Sequence, residues 1–489
     1  MNLDAQHREY IAMAPKWIKM RDVLGGEDAI KAKGVTYLPQ PSGQDALDYA
    51  AYKERALFYD ATERTLEGYV GLVFRKKPAL SDDSKILAKF EKDITTTGMS
   101  IDDFARVATQ EVLSAGKVGI LVEYPVVEGS RTIADTESDG LRPYLTMYTA
   151  ENIIDWRETR IKGKKVLSFL KLHEWIEVPR ISDPFETDLV EQYRVFQLDK
   201  NSQCVYSLWQ KGDKGWEMIP VDDPYVYIND TMIEYIPFVF ITPLATEAKT
   251  HKPPLYGLAT ANVHHYQVSA DRVHAVHWAD NPTPVIIGNI LGEQGEEVKT
   301  LKLGSATAIN LGIGGDAKFL EVQGHGLTPT KELLDDISQY MAILGSKILT
   351  SDQAAAEAAE TAAIHRAGEH SVLASIANSV ASGLTQALNL FLEFAGKTGE
   401  ITYRLNTDFY PSPMSSQDLI ALVGALQAKS ISDVEFYEAL VAGELIRPDK
   451  TFEQHKKEIA SMPEQKIVTA SGSGNAFGTD VNANDVKVS

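Results

Sequence analysis

Apolar residues recur at three- and four-residue steps in some stretches of this chain and at every second residue in others, and the two periods mark out its elements. Glu9–Lys19 reads as a short helix, followed by a polar connection rich in Gly, Lys and Pro. Across Asp45–Phe74 the residues Tyr49, Tyr52, Ala56, Tyr59, Leu66, Val70 and Val73 keep the helical step and predict one long helix. Arg75-Lys76-Lys77-Pro78 then ends it with cations and proline. Ser100 is placed to cap Ile101–Ala115, with Asp102 and Asp103 in the first turn where the helix dipole favours anions. Gly116 stops that helix before the apolar strand Val118–Tyr124. From Leu141 to Thr242 the period falls to two. Tyr144–Tyr148, Val166–Ile176, Tyr193–Gln197, Val205–Trp209, Trp216–Ile219 and Phe238–Ile241 read as strands of a largely antiparallel sheet, separated by Gly, Asp, Asn and Pro.

The helical step returns over Leu255–Asp280, a rod of about 38 Å, and over Thr330–Leu349, a rod of about 30 Å. Asn281-Pro282-Thr283-Pro284 cuts the first rod, because proline denies the ladder its donor. Between the rods, Val285–Ile287, Ala306–Asn310 and Lys318–Glu321 read as short strands around Gly-rich turns. An alanine-dominated segment follows and predicts a helix of roughly forty residues, its later part striped by Val372, Leu373, Ile376, Val380, Leu384, Leu388, Phe391 and Phe394. Ile401–Asn406 reads as a strand, Ser416–Lys429 and Ser432–Ala442 as amphipathic helices, and the stretch to Ala460 as a charged segment. From Met462 the chain is polar and rich in Gly, Ser and Asn, and a mobile tail is expected. The class is α+β, mainly helical. Two rods around a small β module outline a wall element that needs neighbours, not a pocket.

Composition narrows the function classes. A net charge of −20 speaks against tight binding of nucleic acid, which needs clustered Lys and Arg. It suits a surface along which DNA slides without sticking. The single cysteine, Cys204, excludes an intrachain disulfide and a Cys-rich zinc site. No apolar run is long enough to cross a bilayer, and Met1–Arg8 lacks an apolar signal core, so synthesis in the cytoplasm with no membrane partner is expected.

Candidate chemistry is sparse. His264, His265, His274 and His277, with Asp271 and Asp280, offer a ligand row at helical spacing, yet no His-Glu-x-x-His pattern is present. Contact between subunits or with a channel is the simpler role for them. Ser114-x-x-Lys117, Tyr227-x-Asn229 and Lys397-Thr398-Gly399 follow the order found in penicillin-interacting serine enzymes. Their context is wrong: Ser114 closes a helix where the nucleophile should open one, and Lys397 ends a helix rather than lying in a strand. Gly116-Lys117 lacks the rest of a phosphate loop, and Leu311–Asp316 reads as a turn. No catalytic residue, cofactor or metal is assigned.

Tyr52–Ala56 with Gly68–Pro78, then Gly116–Pro125, Ala355–Ala367 and Leu405–Phe409, occur in an order and spacing that resemble bacteriophage portal proteins, the head–tail connectors of phage capsids. The likeness extends over nearly the whole chain, and is nearest to a portal subgroup first catalogued as a domain of unknown function. It implies a wing (1–254 with 350–410), a stem (255–280 and 330–349), a clip (281–329), a helical crown (411–461) and the tail 462–489. It also implies a dodecameric ring at one capsid vertex of the virion. Double-stranded DNA would pass through it without sequence preference, and no enzymatic activity would reside in it. Its partners would be terminase, then head-completion or tail adaptors, and the major capsid and scaffold proteins. A ring of that size would carry about −240 charges. By the same resemblance Ser346, Lys347, Thr350, Ser351, Asp352, Gln353, Ala354 and Ala355 belong to the tunnel loop that narrows the channel. Lys299, Lys302, Asn310, Asp316 and Lys318 belong to the clip interface. Another ring-forming adaptor of the head–tail junction is the alternative, although adaptors are much smaller.

Overall fold

A computed structural model describes residues 3–125, 141–180, 183–212, 215–229, 231–280, 283–287, 314–320, 327–346, 371–409, 416–428, 430–443, 445–446 and 450–461. The chain forms two units, Met1–Tyr410 and Pro411–Ser489.

Helix α1, Arg8–Leu24, runs beyond its expected end, and α2, Gly26–Ala32, occupies what reads as a polar connection. Tertiary bonds account for the extension. Buried Trp17 donates its indole N–H to Ala115 O at 2.8 Å. Arg21 forks between Glu111 and Glu151 at 2.5 and 2.7 Å.

The long helix expected over Asp45–Phe74 is two helices, α3 (Ala46–Arg55) and α4 (Ala61–Val73). Ala56 leaves the helix in an extended conformation, although its helical propensity is the best available. Packing overrides propensity here. The excursion seats Phe58 edge-on against Tyr266 at 5.8 Å, and a buried asparagine, Asn262, binds Tyr59 within the break and Thr62 in the first turn of α4.

Ser100 caps α5, Ile101–Ala115, and Gly116 ends it in the left-handed region at φ 74°, as the sequence predicts. An alanine there would be strained, and its Cβ would stand 2.7 Å from His251 O. Strand β1 (Ala79–Asp82) is absent from the sequence reading. It is short, half polar, and held by antiparallel pairing with β14, Ile401–Arg404. Strands β2 (Val118–Glu123), β3 (Tyr144–Thr149) and β11 (Phe238–Ile241) form an antiparallel sheet with β2 in the centre. Helix α8, Val372–Phe394, packs on it and buries the stripe from Leu373 to Phe394. Gly383 makes that approach possible, because a Cβ there would lie 2.4 Å from Ile241 Cγ1. Gly383→Ala is expected to cost about 1–3 kcal/mol through overpacking, read as a lower urea midpoint.

A second antiparallel sheet has the order β4–β5–β6–β7–β8. Strand β4, Ile153–Ile161, escapes the pattern because charged residues fill its outer half. Strands β5 (Lys164–Arg180) and β6 (Asp183–Leu198) far outrun the segments Val166–Ile176 and Tyr193–Gln197. Strands β7 (Cys204–Gly212) and β8 (Gly215–Ile219) complete it. A small pair, β9 (Tyr227–Ile228) and β10 (Thr231–Met232), stands apart.

The second unit holds α9 (Ser416–Gln427), α10 (Asp433–Ala442) and α11 (Phe452–Ser461). Ser432 and Glu435 form a capping box on α10, and Tyr437 packs edge-on against Phe452 at 5.5 Å. The tail 462–489 lies outside the described residues.

Candidate functional site

The rods foreseen from the sequence are α6, Tyr256–Asp280, and α7, Leu327–Ser346. Helix α7 starts three residues before the expected Thr330 and takes in Pro329. A proline in the first turn removes only an N–H that has no helical acceptor. Strands β12 (Thr283–Ile287) and β13 (Asp316–Leu320) pair antiparallel next to the end of α6 and the start of α7, so the two helices run in opposite directions.

Helix α6 changes character along its length. Its first half buries Leu258, Ala259, Ala261, Asn262, Val263, Tyr266, Val268, Ser269 and Ala270, spread around most of its circumference. From Asp271 its residues are half-buried or exposed, with Trp278 52% exposed. The root is pinned by polar bonds. Asn262 donates to Tyr59 O at 2.8 Å and accepts from Thr62 N and Oγ1 at 3.1 and 3.0 Å. Gln267 donates to Tyr37 O, and the Tyr52 hydroxyl donates to Asp271 at 2.6 Å. Helix α7 buries only Ile337, Met341 and Gly345 and half-buries Leu334 and Leu344, leaving Leu333, Tyr340 and Ile343 (61% exposed) on another stripe. Tyr256, Thr260 and His264 of α6 face Asp336, Ile337 and Tyr340 of α7 across an open groove of about 650 Å³.

The histidine row does not converge. The ring of His274 lies edge-on to Tyr52 and accepts at Nε2 from the Trp278 indole. Asp271 is engaged by Tyr52, and His264 is exposed. Burial lowers the pKa of both His265 and His274, with Arg55 and His277 adding to the shift at His274. No group of three His, Cys, Asp or Glu side chains suited to a metal occurs among the described residues.

Of the clip residues, Asp316 and Lys318 lie on β13, opposite Ile287 and Val285, and as alternate residues of a strand they share one face. Lys299, Lys302 and Asn310 lie outside the described residues. Ser346 is the last residue of α7; Lys347, Thr350, Ser351, Asp352, Gln353, Ala354 and Ala355 also lie outside.

The serine-enzyme pattern does not assemble an accessible nucleophile. Ser114 is buried and its hydroxyl donates to Glu111 O. Lys117 Nζ is engaged by Ala248 O at 2.8 Å and Thr250 Oγ1 at 3.2 Å, and lies 3.2 Å from the Trp156 ring centre. Lys397 sits in the link between α8 and β14 rather than in a strand. Burial pulls Lys117 down to about 7. Because its folded pKa lies below the unfolded value, the unfolded chain binds more protons between pH 7 and about 10. The cost of this lysine is therefore present at pH 7 and relieved as pH rises through that window. From this group, stability should gain on the order of 2 kcal/mol between pH 7 and about 9.5. Lys117→Met should flatten the slope of urea midpoint against pH.

Residues 254–395, from the start of α6 to the end of α8, match the family described as a domain of unknown function (DUF4055). No curated protein sequence matches the chain. Among solved structures it is similar to a chain from the neck of an empty GTA particle computed with C6 symmetry. That alignment has 13% identity, covers 85% of this chain and 98% of that one, and has a TM-score of 0.35. It is also similar to a chain from the neck of the native GTA particle computed with C12 symmetry, at 12% identity, 90% and 100% coverage and a TM-score of 0.34. Neither score reaches the level of a shared fold.

Asn262 and Lys117 carry more of this region than the sequence reading credits. Their signal is a polar residue inside an apolar run, Ala261-Asn262-Val263 and Lys117-Val118-Gly119-Ile120, which points to a buried bond.

Proposed function

We propose that this chain is the subunit of a portal-type ring through which duplex DNA passes during packaging and ejection of a phage genome. One observation supports it most. A helix buried on most sides at its root continues into an exposed half, pairs with a helix that buries a single stripe, and carries a two-stranded cap. Exposed Trp278, Leu333 and Tyr340 put apolar surface on such a projection, and copies standing side by side would cover it. In this reading α6 and α7 are the stem and residues 281–326 the clip, where terminase and later adaptors dock. The turn near Thr350–Ala355, before the Ala-rich segment, would be the tunnel loop, and the helices α9, α10 and α11 the crown. The net charge of −20 per copy would centre DNA by like-charge repulsion. No step in this role needs a catalytic group; work would come from the docked ATPase.

Native mass spectrometry of the purified chain tests this reading. Closed assemblies at high multiples of 53.9 kDa are expected. A monomer at every concentration would rule it out.

A further inference from the structure

The five-stranded sheet carries opposite charge at its two ends. At one end, the β4–β5 hairpin turns through Lys162 and Gly163, both left-handed at φ 50° and 81°. Residues 157–165 hold Arg157, Arg160, Lys162, Lys164 and Lys165, all exposed, in a chain of net charge −20. Asp155, Glu158 and Glu234 offset part of that charge through pairs with Arg157, Lys165 and Lys162. The other end of β5 lies about 50 Å away, at the rise of an extended strand. There residues 177–188 hold Glu177, Asp183, Glu186 and Asp188 against the single Arg180. Arg180 itself is forked between Glu186 and Asp188.

The acidic end is also apolar and under-supported. Strand β4 pairs with β5 only as far as Leu172, and β7 pairs with β6 only from Gln192. Beyond those points β5 and β6 continue as a two-stranded ribbon with no third strand among the described residues. Its base is anchored, since Glu174 forms an ion pair with Arg194 and accepts from Tyr148 and Gln192. Further out, Trp175 (60% exposed), Val178 and Leu189 face solvent. Two strands alone are marginal in water, and free edges with exposed apolar residues invite a partner.

We propose that the ribbon of one copy docks on the basic β4–β5 hairpin of the next. Charge complementarity selects this occupant, because residues 157–165 hold five cations within nine residues of an otherwise acidic chain. The two patches differ, so the contact is head-to-tail, and such contacts close into rings when the rotation permits. This inference rests on the ring reading and names a contact that would hold the ring together.

The test uses the full-length chain and two charge-reversed forms, with ring yield followed by native mass spectrometry at low and high ionic strength. One form carries Arg160→Glu, Lys162→Glu and Lys164→Glu; the other carries Glu177→Lys and Asp188→Lys. Each alone is expected to need about tenfold or more protein for half-assembly. Mixed, they are expected to assemble again, because every contact in an alternating ring regains opposite signs. Recovery on mixing also shows that both forms fold. A third form, Trp175→Ser with Leu189→Ser, should weaken assembly at both ionic strengths. If the reversed forms assemble as the parent does, the contact is refuted while the ring reading stands. If the parent never assembles, the ring reading fails. If reversal of the basic hairpin abolishes only retention of duplex DNA, the hairpin serves nucleic acid and the proposal is overturned.

Discussion

Asn262→Ala is expected to lose about 3–5 kcal/mol of stability. The residue is fully buried and serves three bonds, one to the Tyr59 carbonyl and two from Thr62. Truncation leaves the buried Thr62 N–H without its acceptor, while the Tyr59 carbonyl keeps the bond from Ala61 N–H. An orphaned buried N–H costs about 1–3 kcal/mol, and the lost bond to Tyr59 and the lost side-chain volume add to the total. Asn262→Asp keeps the acceptor for Thr62 but loses the donor to Tyr59, and sets a carboxylate in the core. It should be no milder. The measurement is the urea midpoint at unchanged slope, with hydrogen exchange at α4 amides rising first. An alanine variant within about 0.5 kcal/mol of the parent would mean that the break between α3 and α4 is held by something else.

Replacing residues 281–326 with a short turn is expected to leave assembly intact and abolish terminase docking. The ends of α6 and α7 are brought together by the β12–β13 pair, and a turn of a few residues is enough to join antiparallel helices. The cut stops at 326, because Leu327–Pro329 already belong to α7. Images of the rings and capture of the purified packaging ATPase read the two halves of the prediction separately. Normal packaging by the shortened chain would contradict the clip assignment.

The paired rods, the β region and the caps at Ser100 and Gly116 were legible in the sequence because each rests on a local signal: period, cap chemistry or a breaker. What the sequence hid was non-local. The gap between α3 and α4 keeps helical spacing through Ala56 and Tyr59, yet Asn262, two hundred residues away, fixes it open. Strand β4 ends in charges because its outer half faces solvent, so alternation fades where the sheet outgrows the core. The long ribbon of β5 and β6 reads as polar for the same reason. Of the candidate site, Asp316, Lys318 and Ser346 have a place in described elements. Lys299, Lys302, Asn310, Lys347 and Thr350–Ala355 stand on the resemblance alone.

A cryo-EM reconstruction of the purified full-length chain tests the central claim most directly. The expected map is a closed ring whose inner wall is built from α6 and α7 of successive copies, with the β12–β13 caps together at one end of the passage. A compact monomer, or a ring with α6 and α7 turned away from the central hole, would contradict it.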